Sequence, residues 1–140
     1  MATITYTVTV ATGTNQYGTG DKFYINGSVS PALNLIEGNT YIFDTSDSTV
    51  SGDLFSFSTS ANNSPSAPYT TGVTQNGTAG TSGANTTIVV ATNAPTLYYY
   101  CTNHAGMGNV AYTLAAGSIA TTSNFEASFT IDEVIEDAYE

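Results

Sequence analysis

The chain has 140 residues and a formal charge of −10, with eleven acidic side chains against a single basic one, Lys22. That length suits one domain with one core, and the charge excludes nucleic acid and anionic membrane surfaces as partners, because no basic patch exists to meet phosphates. A lone cysteine, Cys101, rules out an internal disulfide, so the cross-linked framework of a small secreted domain is not expected.

Residues Ile4, Tyr6, Val8 and Val10 alternate with Thr5, Thr7 and Thr9, the period of a strand with one buried face. This start has no basic cluster and no apolar run of signal-peptide length, and no segment approaches transmembrane length. The sequons at Asn26, Asn62, Asn76 and Asn85 then follow from the abundance of Asn, Ser and Thr. Ala11 to Asp21 reads as a Gly/Thr/Asn loop. Phe23-Tyr24-Ile25 reads as a short strand ended by the turn signal Asn26-Gly27. Pro31 opens a third apolar stretch, Leu33 to Ile36. Glu37-Gly38-Asn39 is a turn, and Thr40 to Asp44 a further strand.

Asp44 to Gly52 is polar, and Asp44 and Asp47 lack the ligand density of a calcium loop. Leu54 to Ser58 alternates weakly. Ala61 to Gly83 is a long Asn/Ser/Pro/Thr/Gly excursion around Tyr69 to Val73. Loops of that length inside a domain carry local structure or function. Thr86 to Ala91, with Ile88 and Val90 on one face, is a strand. Thr96 to Cys101 is the most β-prone run in the chain, and Val110, Tyr112 and Leu114 share one side of the next strand. Seven or eight short strands divided by Gly/Asn turns predict an antiparallel sandwich or barrel. Residues 126–140 hold six of the eleven acids. Phe125, Ala127, Phe129 and Ile131 alternate there, and Ile131, Val134, Ile135 and Ala138 fall on one helical face. This acidic segment reads as a strand, a docking arm or a solvated end.

The informative segment is Cys101-Thr102-Asn103-His104-Ala105-Gly106-Met107-Gly108. A thiolate, an imidazole and a thioether, each three residues apart, are donors a blue-copper site uses, the first two in a trigonal plane and the thioether on the axis. Gly106 and Gly108 give the loop room to turn. Two readings are open for each donor. Cys101 is a ligand or a small buried residue at a strand end, His104 a ligand or a backbone-bonded loop histidine, and Met107 a ligand or core filling. A Cys-His nucleophile finds no third group and no oxyanion site in the sequence, so catalysis is not expected.

Here the chain resembles the cupredoxins. More narrowly, Tyr6 to Gly108 resembles a cupredoxin-like domain of virion structural proteins from marine tailed phages, including those of cyanobacteria. The matching pieces are Tyr6-Thr7-Val8-Thr9-Val10, Ile36-Glu37-Gly38-Asn39-Thr40-Tyr41, Tyr69-Thr70-Thr71-Gly72-Val73 and Ala94-Pro95-Thr96-Leu97-Tyr98-Tyr99-Tyr100-Cys101-Thr102-Asn103-His104. The resemblance implies an all-β, cupredoxin-like Greek-key β-sandwich, assigned to residues 1–125; the short acidic extension over 126–140, set apart by its charge, has no counterpart in it. It also implies a first histidine ligand before a middle strand, in a Gly-His-Pro setting. Asp53 stands at that position, and His104 is the only histidine, so the metal set implied is Asp53, Cys101, His104 and Met107, one imidazole short.

The function this implies is that of a non-enzymatic phage virion protein, a capsid decoration or cement protein or a tail or fibre component. It would be homo-oligomeric, would partner other virion proteins such as the major capsid protein or tail subunits, and would assemble in the host cytoplasm without nucleic-acid or membrane contact. Two alternatives stand beside it: a copper-binding electron carrier with Asp53 as an unusual ligand, and a glycan-binding module using Tyr17, Tyr24 and Tyr69 for stacking.

Overall fold

A computed structural model describes residues 1–61 and 67–118. The segment 126–140 expected to form an arm, and the last few residues expected to belong to the sandwich, lie outside the described residues. Among the described residues ten strands run in chain order as β1 (Thr3–Asn15), β2 (Gly18–Ile25), β3 (Ser28–Val29), β4 (Leu33–Ile36), β5 (Thr40–Asp44), β6 (Phe55–Ser58), β7 (Val73–Asn76), β8 (Asn85–Val89), β9 (Leu97–Cys101) and β10 (Asn109–Leu114). One turn of 3₁₀-helix, Ser48–Val50, lies between β5 and β6, started by the Asp47 carboxylate accepting the Thr49 N–H. Six strands form one sheet in the order β3-β2-β1-β5-β8-β7, and four form the other, β4-β10-β9-β6. The result is the all-β, sandwich-like architecture expected from the alternation.

The sheets are mixed rather than purely antiparallel. Thr3–Thr7 of β1 pair in parallel with Thr40–Asp44, and β10 pairs in parallel with β4, Ala111 opposite Leu33. A parallel neighbour requires a long return path, and the chain supplies it by crossing between the two sheets five times.

The expected Ala11–Asp21 loop is instead a hairpin. Strand β1 continues to Asn15, turns at Gln16–Tyr17 and returns as β2, with Asn15 opposite Gly18 and Val10 opposite Phe23. The threonines supply β-branched ladder positions. Gly18 takes a φ of 106°, a conformation that glycine adopts without a Cβ clash. Gly13, which adds no side chain to the ladder, is covered by the Tyr24 ring from the neighbouring strand. The next turn follows the sequence signal. Asn26 (φ 49°) and Gly27 (φ 85°) form the two-residue connection to β3, both left-handed as a type I′ turn requires. Asn26 locks onto β1, its N–H donating to Thr7 O (2.8 Å) and its side chain accepting from Thr7 N (2.8 Å).

Between the sheets lies an aromatic core. Tyr6, Phe23, Tyr41, Phe43, Phe55, Phe57 and Tyr99 are all buried. Phe55 is the hub, its ring centroid 4.6 Å from that of Phe43, 5.0 Å from Phe23, 5.3 Å from Tyr99 and 5.6 Å from Phe57. Offset-stacked and edge-on pairs at these separations add to area burial. In β10 it is Ala111 that faces this core, so Val110, Tyr112 and Leu114 line the outer side of the sheet, with Tyr112 exposed. Among the described residues no helix is long and apolar enough to cross a membrane.

Candidate metal-ligand cluster

Strands β6 and β9 pair antiparallel with Phe55 opposite Cys101. The pairing continues past both strand ends. Thr102 N–H donates to Leu54 O (3.2 Å), and the Asn103 side-chain amide donates to Gly52 O (2.6 Å). This register carries Asp53, two residues before Phe55, to the side of Cys101. Its backbone N–H is held by Val50 O (2.9 Å), so the 3₁₀ turn fixes the approach.

Three ligand atoms, one each from Asp53, Cys101 and His104, lie within 4.8 Å of one another. Asp53 Oδ1 is the common acceptor. Cys101 Sγ–H donates to it at 3.3 Å, and His104 Nδ1–H at 2.6 Å. The sulfur lies 3.7 Å from the same imidazole nitrogen. Sγ also accepts the Asn103 N–H (3.4 Å). Cys101 is fully covered, Asp53 is nearly so, and the His104 side chain is 59% exposed. Burial pushes the Cys101 thiol up to about 11; the Asn103 and His104 amides pull it down, and the Asp53 carboxylate pushes it further up. The thiol therefore keeps its proton at neutral pH. Because Cys101 and Asp53 meet the same ring nitrogen, the imidazole cannot relay a proton from thiol to carboxylate through its two nitrogens, as a nucleophile–base–orienter chain does.

Met107, expected as an axial donor or core filler, is buried in the hydrophobic core. Its carbonyl accepts from Phe23 N–H (3.0 Å) and Ser30 Oγ–H (2.9 Å), which ties the end of the loop to β2. One residue earlier, Gly106 (φ 82°) offers its carbonyl to both Lys22 Nζ and Asn15 Nδ2, each at 2.8 Å. Lys22 thus matters in a way the sequence reading missed. The chain's only cationic side chain is buried and holds down the loop that carries Cys101, His104 and Met107. Its signal was its singularity: a long basic residue kept next to Phe23 in an otherwise acidic chain.

A cavity of about 320 Å³ opens beside the loop, lined by Tyr17, Thr19, Asp21, Lys22, His104 and Gly106 among others. The tyrosines considered for sugar stacking are each partly buried, and Tyr17 and Tyr69 line separate cavities. A blue-copper centre needs two imidazoles with its thiolate, and the donor set here, with one imidazole and a carboxylate, does not fit that centre. Compared with models of known protein families and with curated proteins, the chain matches none.

Proposed function

We propose that this chain is a non-enzymatic virion structural protein, a capsid decoration or cement protein or a tail or fibre component, built on a cupredoxin-like sandwich whose copper site is incomplete. One observation carries the reading. Asp53 lies beside Cys101 and His104, where the resemblance puts the missing histidine, and its Oδ1 accepts from both. With one imidazole and a carboxylate, this donor set falls short of the centre that shuttles electrons in a blue-copper protein. The acidic balance suits partners that offer backbone, apolar or basic surface, and a homo-oligomer with closed symmetry is the expected assembly. Mass spectrometry and antibody labelling of gradient-purified particles test the assignment. The chain should band with the particles at a fixed copy number relative to the major capsid protein. Recovery only in the soluble fraction of the lysate would refute it.

The close approach of thiol, imidazole and carboxylate favours one second reading, a copper redox protein with Asp53 as a ligand. That reading requires an intense visible thiolate-to-copper band, with one copper per chain, when Cu(II) is added to the purified protein. A colourless, copper-free product removes it.

A further inference from the structure

We propose that Asp53, Cys101 and His104 form a binding site for a zinc-class divalent cation, with an open fourth position for water. The argument starts from distances. Zinc bonds of about 2.3 Å to sulfur and about 2.0 Å to nitrogen or oxygen place tetrahedral ligand atoms about 3.3–3.6 Å apart. The sulfur-to-nitrogen and sulfur-to-oxygen separations here, 3.7 and 3.3 Å, already bracket that range. Only the 2.6 Å His104–Asp53 contact must open, by about 0.7 Å on the same bond lengths, and the exposed imidazole is the partner free to move.

A second, independent feature points the same way. The Cys101 sulfur accepts the Asn103 backbone N–H at 3.4 Å. A bond of this kind orients and stabilises a metal-bound thiolate. Donor chemistry then selects the ion. Thiolate, imidazole and carboxylate are the three donor types that zinc accepts together. One imidazole and a hard carboxylate suit Cu(I) poorly and fall short of the blue-copper set.

The His104 side chain borders a cavity also lined by Tyr17, Thr19, Asp21 and Lys22, where the Lys22 ammonium donates to the Gly106 carbonyl. On binding, the Cys101 S–H bond gives way to a sulfur–metal bond and the proton leaves to solvent. No electron is transferred. This inference goes beyond the virion reading and does not rest on it, because metal content and particle association are measured separately.

The test uses the full chain, stripped with a chelator and then dialysed against Zn(II), Co(II) or Cu(II) salts. One zinc per chain should be retained. Co(II) should give a thiolate charge-transfer band and the strong visible absorption of four-coordinate cobalt. Both should vanish in Cys101→Ser. Zinc affinity should fall at least about tenfold in Asp53→Asn and in His104→Ala, the latter a substitution at an exposed position that leaves the core intact. Zinc lost on dialysis, a weak six-coordinate cobalt spectrum without the thiolate band, equal retention by the three variants, or a stoichiometric blue copper centre that zinc cannot displace would each overturn the proposal.

Discussion

A thiol covered on all sides and facing a carboxylate gives up its proton late, and that has a consequence for stability. The fold favours the neutral form of Cys101, so its contribution is complete below pH 9.0, the ordinary value for the group, and is lost as pH rises through about 11. Denaturant unfolding at intervals across that window should show the wild type losing its advantage over Cys101→Ser as the pH rises. Tyr99, whose phenol burial raises well above its ordinary value, titrates in both proteins and cancels in the difference. Asp53→His tests the neighbouring position. With a second imidazole beside Cys101 and His104, Cu(II) should produce a visible thiolate band absent from the parent; a colourless, copper-free variant would show that Asp53 does not occupy the ligand position. The Cys101–His104 spacing was legible in the sequence as a loop motif after a strongly β-prone run, whereas the position of Asp53 beside it came only from the resemblance, since the β6–β9 pairing that brings it there is not a local feature. The role of Lys22 was not legible. Its target is the Gly106 carbonyl, 84 residues away, and a carbonyl leaves no mark in a sequence.

Short strands bounded by turn signals were read to within a residue or so, as with Thr40–Asp44 and Leu97–Cys101. The hairpin of β1 and β2 was not, because Thr, Gly and Asn in quick succession carry the composition of a loop, and only cross-strand pairing turns them into a ladder. The parallel pairings were equally hidden, since alternation fixes which face is buried but not which strand lies alongside. Where elements meet, two substitutions measure what holds them. Phe55→Ala removes the ring that touches Phe23, Phe43, Phe57 and Tyr99. It should destabilise by about 3–5 kcal/mol, read from chemical denaturation. Gly108→Ala would drive a methyl into the Tyr99 carbonyl at the entry to β10. Both groups are backbone-fixed, so this should cost about 3 kcal/mol or more, with the loss read as a lower melting temperature.

For the molecule as a whole, charge is divided unevenly along the chain. Removing residues 126–140 takes away six acids and moves the formal charge from −10 to −4. If the sandwich folds on its own core, the truncated chain should melt within a few degrees of the full one. If the segment docks on neighbours, light scattering after size exclusion should show a smaller assembly. The burial of Lys22 has a practical outcome as well. Trypsin cuts only after lysine or arginine, and the single such bond in this chain lies within β2, paired to β1 and beneath the Gly106 loop. The native protein therefore presents that protease with no accessible target, and cleavage must wait for the whole fold to open. Digestion rate becomes a direct count of globally unfolded molecules.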